Sequence, residues 1–309
     1  MIHLSKIQRT GFLFFATLIV YLTGAGLVSM FFPQYLQDTH SQILVSQFFI
    51  LLLPAIWYAR SGENVIEEFR LKPVKLNIVP FLVLGTLFLY PTLSLISSLS
   101  GLVLQSKTVS LAETMLTGGI GWNLLIVALV PCLVEEMVCR GMLLSGYRGI
   151  SSWSGIFLSA FLFGCLHMNL NQFLYTFIFG IFLAYLVEVT GSIFSSMICH
   201  FTLNASSVIM TNLYSGQDVE ALEEAAANAD LLTSYITLAV MAVIGLLLLI
   251  PTIRYIIRNC GWGEKNNLSI SNEKGKFLSH LKKAISPGLL MAVALCVFYM
   301  IMFELQYTV

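Results

Sequence analysis

Charge is what this sequence has least of. Asp, Glu, Lys and Arg make up 10% of its 309 residues, too small a share to coat a soluble globular surface. The 16 basic and 16 acidic residues cancel, so there is no basic face for holding nucleic acid, and that class of partner is excluded. The six cysteines form no CxxC and no other metal-ligand spacing. Cys132, Cys139, Cys165, Cys199 and Cys296 fall in apolar runs and Cys260 in a basic loop, so they read as small buried apolar residues and not as disulfide partners. The chain also lacks HExxH, GxGD and GxSG, which excludes the intramembrane hydrolases marked by those motifs. No internal repeat is visible, and paired broken helices in related halves, the signature of a small-solute transporter, are missing too.

What is present is apolar surface. Hydrophobic residues make up 57% of the chain and mean hydropathy is +0.85, as expected for an all-α, polytopic transmembrane helical bundle. A span needs about 20 apolar residues, and about nine candidates (eight to nine) answer that description: 11–32, 43–59, 78–103, 119–139, 152–168, 171–188, 192–214, 232–253 and 285–305. The second, fifth and sixth are short, and the fourth is expected to stay helical to about Ser145. Lys6 and Arg9 precede the first run in the manner of a signal peptide, but the run is too long and no clear A-x-A cleavage site follows. It reads as the first span.

Lys and Arg collect in cytoplasmic loops. Here alternate connections carry Lys6 and Arg9, then Arg60, Arg70, Lys72 and Lys75, then Arg140 and Arg148, then Arg254, Arg258, Lys265, Lys274, Lys276, Lys282 and Lys283, leaving only Lys107 on the other side. The alternation predicts a cytoplasmic N-terminus and an external C-terminus. Three regions follow: N-terminal transmembrane helices over 1–114, a core over 115–215, and, over 216–309, an external loop, a cytoplasmic loop and C-terminal helices. The external loop, Gln217 to Asp230, is acidic and reads as a short solvated helix. The cytoplasmic loop, Cys260 to Ser279, is basic and reads as a flexible connector.

Within the core, Pro131–Arg140 sets two adjacent carboxylates and an arginine inside an apolar run, where an ionisable group is costly and marks a functional site. Glu135 and Glu136 point about 100° apart on a helix. Arg140 stands one turn after Glu136, acid before base, the favourable order for an ion pair. That pairing makes Glu136 and Arg140 structural and leaves Glu135 as a candidate general base, its affinity for protons raised by burial. His167 on the next span, and His200 with Asn204 on one face of a later helix, lie at depths that allow a shared cavity, with Phe163 one turn before His167, beside its ring or lining the cavity. Each alone is a common interhelical hydrogen-bonding device; together they need a cavity to satisfy them at membrane depth. A base, two imidazoles and an amide suit peptide hydrolysis. Glu135 with His167 deprotonates a water while His200 and Asn204 stabilise the oxyanion, or else Glu135, His167 and His200 hold a zinc ion that activates the water. The residues leave both open. Gly141, Gly146, Gly155, Gly164, Gly180 and Gly191 read as points of close helix approach.

Glu135-Glu136-Met-Val-Cys-Arg140, Phe163-Gly-Cys-Leu-His167 and His200-Phe-Thr-Leu-Asn204 resemble, in order and spacing, the EExxxR, FxxxH and HxxxN/B motifs of the CPBP intramembrane proteases. This family includes type II CAAX prenyl endopeptidases and bacterial bacteriocin-processing and immunity (Abi) proteins. The resemblance covers roughly 115–215. It implies a membrane-embedded endopeptidase, glutamate-type or metal-dependent, in a bacterial cell membrane. Catalytic roles fall to Glu135, His167, His200 and Asn204 and supporting ones to Glu136, Arg140 and Phe163. Its cofactor is Zn2+ or none. Its partners are the lipid bilayer and a peptide or membrane-anchored protein substrate; prenylation of that substrate and the oligomeric state are left open. The alternative is a non-enzymatic immunity or scaffold protein that sequesters a peptide, a role that needs no water-activating carboxylate.

Overall fold

A computed structural model of the chain describes residues 5–104, 118–215, 230–260 and 277–308. All regular structure among them is helical. In chain order the helices are α1 (Lys6–Phe31), α2 (Thr39–Ser61), the single-turn α3 (Val65–Glu68), α4 (Val79–Val103), α5 (Ile120–Arg148), α6 (Ser152–Leu166), α7 (Leu170–Thr190), α8 (Ile193–Ser215), α9 (Leu231–Cys260), α10 (Phe277–Ala284) and α11 (Pro287–Thr308). Eight are long and apolar enough to cross a membrane, and the chain is a multi-pass integral membrane protein. The ninth expected span is α6. Its 15 residues reach only about 22 Å at 1.5 Å per residue, short of the ~30 Å hydrocarbon core. The other two spans expected to be short run to 23 residues in α2 and 21 in α7.

Local chemistry sets the helix ends. Ser5 and Gln8 form a reciprocal capping box on α1. Asp38 caps α2 by accepting from the Ser41 amide at 2.9 Å, and that bond holds its carboxyl below the usual range. Asn169 caps α7 by accepting from the amides of Asn171 and Gln172. Gly191 ends α7 at φ +71°, a left-handed conformation that glycine adopts without steric cost. Its role is therefore this turn and not the close approach expected of it. Gly180 does serve close approach: a Cβ there would sit 3.0 Å from Ala160 Cα, so α7 lies against α6.

In the core, α9 runs along α4, α7 along α6, and α1 between α2 and α11, while α8 packs on α4 and α5. The six cysteines are free, five of them buried. Cys260 closes α9 instead of lying in a loop, and Phe277–Ser279 already belongs to α10. The rest of the expected basic connector, Lys107 and the acidic stretch up to residue 229 lie outside the described residues. Arg140 is not in a connection at all. It is fully buried inside α5, where Glu136 and the Gly180 carbonyl accept from its two terminal nitrogens while Nε has no hydrogen-bond partner among the described residues.

A buried charge cluster ties one end of the bundle together. Glu188 is 1% exposed and accepts from Arg148 Nε at 2.6 Å and from Arg70 Nη2 at 3.2 Å, with Arg70 Nη1 in ion-pair contact at 3.0 Å. Arg70 Nη1 also donates to the Val187 carbonyl at 3.1 Å, and the Ile193 amide donates to the Arg70 carbonyl at 3.1 Å. Two cations from distant connections thus share one acid, which makes that acid tolerable in the interior.

Candidate active site

The first motif lies in the one helix whose winding changes along its length. Residues Leu124–Leu129 and Met137–Leu143 are π-helical and flank an α-helical stretch, Val130–Glu136. Wide turns of this kind recur at functional sites. Pro131 has no N–H to offer the carbonyl four residues earlier, that of Val127, and this carbonyl accepts a long 3.4 Å bond from Asn204 Nδ2. A proline on α5 and an asparagine on α8 are joined in this way.

Glu136 and Arg140 are both fully buried and bonded at 2.7 Å. Arg140 Nη2 donates to the Gly180 carbonyl at 3.2 Å, and its guanidinium lies over the Phe163 ring, 4.4 Å from the centroid. Glu136 does more than the sequence suggests, because its Oε1 also meets His200 Nδ1 at 2.9 Å. Opposite a carboxylate, that nitrogen must carry the proton. The same reasoning applies to His167, whose Nδ1 lies 2.9 Å from the Phe163 carbonyl; a carbonyl only accepts, so Nδ1 donates. Both imidazoles therefore keep Nε2 for the cavity. Phe163 packs edge-on to both rings, at 5.0 Å from His167 and 5.7 Å from His200.

Among the described residues Glu135 has no Lys or Arg paired with it, but it does have a partner that the sequence did not reveal. Gln47 Nε2, from α2, donates to Glu135 Oε1 at 2.8 Å. The other oxygen, Oε2, stands 3.9 Å from His200 Nε2, too far for a direct hydrogen bond. The available signal for Gln47 was an amide in an apolar span; nothing along the chain linked it to Glu135, 88 residues away.

Glu135, His167, His200 and Asn204 all line one cavity of about 650 Å³, together with Gln47, Phe163 and the hydroxyls of several Ser, Thr and Tyr residues. The depth relation expected from the sequence holds to that extent. The groups suit a zinc ion less well. Free Nε2 atoms backed by acceptors on Nδ1 are what ligands need, but among the described residues no group of three or more His, Cys, Asp or Glu is close enough to hold a metal ion. The described side chains do not form a ligand set.

No curated protein and no solved structure matches the chain. Residues 117–206 match the family model described as Type II CAAX prenyl endopeptidase Rce1-like, a description that implies intramembrane CAAX protease activity in general. The matched stretch contains all three motifs and most of α5 to α8. Residues 117–206 are in this way similar to an Rce1-like domain, consistent with the CPBP resemblance of those motifs.

Proposed function

We propose that the protein is an intramembrane endopeptidase of the glutamate type, with Glu135 as the base that activates water. The observation that carries this reading is the 3.9 Å gap between Glu135 Oε2 and His200 Nε2, inside a cavity large enough for a peptide segment. One water about 2.8 Å from each atom spans that gap. Gln47 fixes the carboxylate's other oxygen, so the free one is aimed at the water. Glu135 takes a proton as the water oxygen attacks the scissile carbonyl carbon, and returns it to the leaving amide nitrogen as the C–N bond breaks. His167, with Nδ1 committed to Phe163, offers Nε2 as an acceptor that orients the water.

Oxyanion stabilisation falls to Asn204 Nδ2, which has a second hydrogen beyond the one directed at Val127, and to His200. Because His200 Nδ1 already donates to Glu136, its Nε2 can donate only as an imidazolium. Glu136 is placed to stabilise that cation, the role a buried acid plays behind a catalytic histidine. Arg140 holds Glu136 in turn. Glu136 and Arg140 act through His200 as positioning residues, with Phe163 packed between the guanidinium and both imidazoles.

The test compares cells expressing the native protein or Glu135→Gln at matched levels, with new peptide termini in the membrane fraction read by mass spectrometry. The substitution keeps the shape and an acceptor for Gln47 but removes the base. Termini present only with the native protein are expected. Identical termini in the two strains would overturn the catalytic reading and leave peptide sequestration as the better account.

A further inference from the structure

The amide of Gln47 is engaged at one end only. Its Nε2 donates to Glu135 Oε1 at 2.8 Å. A carboxylate that acts as a base has no hydrogen to give, so the amide nitrogen must face Glu135 and Oε1 must face away from it. Gln47 is 7% exposed, yet Oε1 has no hydrogen-bond partner among the described residues, and a buried acceptor in that state is costly. Other buried polar atoms share the condition, but of the residues that hold them only Gln47 lines the cavity. The acceptor without a donor is thus beside the proposed base, on the same carbon as the nitrogen that grips it.

The helix puts it there and cannot satisfy it. Ile43, Ser46, Gln47 and Ile50 share one face of α2 at helical spacing, and α2 packs against α5. The N–H groups of α2 around Gln47 are already engaged by carbonyls one turn back. Nearby hydroxyls do not supply the hydrogen either, because those of Ser46, Thr176 and Ser207 donate to carbonyls of their own helices.

A peptide bond in the site supplies it. The two oxygens of Glu135 face different neighbours: Oε1 meets Gln47, and Oε2 looks across 3.9 Å to His200 Nε2. Asn204 stands one turn after His200 on α8. In a trans peptide bond C=O and N–H lie in one plane and point in opposite directions. A scissile bond whose carbonyl oxygen is turned to His200 and Asn204 therefore turns its N–H toward the Gln47 side of the base.

We propose that Gln47 Oε1 accepts the N–H of the scissile bond, so that one side-chain amide holds the base by its nitrogen and the leaving group by its oxygen. This rests on the endopeptidase reading above and narrows its substrates to secondary amides: a bond before proline, whose nitrogen carries no hydrogen, is not cut. The N–H stays on its nitrogen throughout. The water oxygen bonds to the carbonyl carbon as Glu135 takes a proton, and the C–N bond breaks as that proton passes to the nitrogen. The amine leaves with one hydrogen from Glu135 and one that Gln47 held. With the held hydrogen fixed, the lone pair that receives the other is directed at Glu135.

A site built to bond a substrate N–H rejects the analogue that lacks it, because its own acceptor is then left unpaired. The test uses a peptide copied from a cleavage site, made with the scissile bond as the plain amide, as the N-methyl amide and as the ester, and given to purified native protein and Gln47→Leu in detergent. The native protein is expected to cut the plain amide about 100-fold faster than the N-methyl amide, or more, and Gln47→Leu to narrow that ratio by about 10-fold. The ester lacks the hydrogen without adding a methyl group, and Gln47→Leu is expected to slow its hydrolysis less than that of the amide. Equal slowing of amide and ester, as from a residue that only positions Glu135, would overturn the inference and leave the peptidase standing. So would native protein that cuts the plain and N-methyl amides at one rate, a result that needs no variant. If the native protein and Glu135→Gln leave the plain peptide equally intact, the peptidase reading itself fails, and the contact with it.

Discussion

Two clusters of buried acid and arginine, the one around Glu188 and the one around Glu135 and Glu136, are built from the same residue types to opposite ends. Glu188 meets two guanidiniums and its charge is cancelled where it sits. Glu136 shares a single oxygen between Arg140 and His200, so its charge is partly handed on to a side chain that faces the cavity. Glu135 has only the amide of Gln47 at hydrogen-bond distance. In this series the more completely a carboxylate is matched by cations the more it serves the fold, and the one held by a neutral donor is the proposed base.

The comparison can be broken at each step. Glu135→Gln should cost the most activity, about 10³-fold or more in turnover, with the amount of folded protein unchanged. Glu188→Gln leaves the buried Arg70 and the half-buried Arg148 without a carboxylate and should lower stability by about 3 kcal/mol. It is read as a fall in the thermal unfolding midpoint in detergent, while the protein that remains folded keeps its specific activity. Gln47→Leu removes the donor that fixes Glu135 and should slow turnover by about 10-fold, roughly 1.4 kcal/mol, with KM little changed and the pH profile displaced. A change in KM alone would show that Gln47 contacts substrate instead of orienting the base. The smallest effect is expected from a metal chelator such as 1,10-phenanthroline, which should leave activity unchanged; inhibition reversed by added zinc would bring back the metal-dependent reading.

The motifs were legible because each is local: Glu136 and Arg140 are one helical turn apart, as are Phe163 and His167, and His200 and Asn204. The apolar spans were legible because a hydrocarbon slab imposes a length rule on any sequence that crosses it, although α6 is too short to count among them. What stayed hidden was pairing across the chain. Arg70 and Arg148 looked like ordinary loop cations and Glu188 like an isolated acid, because the partners lie 118 and 40 residues apart. Gln47 was silent for the same reason. The His200 contact to Glu136 was hidden too, since helical geometry alone assigns Glu136 wholly to Arg140. Pro131 was visible, but its effect on the Val127 carbonyl depends on a side chain from α8.

The hydroxyls that line the cavity, those of Ser46, Ser94, Ser97, Ser98, Thr176 and Ser207, imply a filter that works on backbone before it works on side chains. A peptide segment at membrane depth keeps its own helical hydrogen bonds until something replaces them, and the cavity's hydroxyls can serve in that way, those of Ser46, Thr176 and Ser207 as acceptors because they already donate to carbonyls of their own helices. Segments with Gly, Pro, Ser or Asn near the scissile bond lose least on unwinding. A Leu- or Ala-rich stretch of equal length would hold its helix and pass the mouth uncut. On the endopeptidase reading the protein would then recognise where a chain is ready to uncoil, and a short weak point in an otherwise stable helix would mark the substrate.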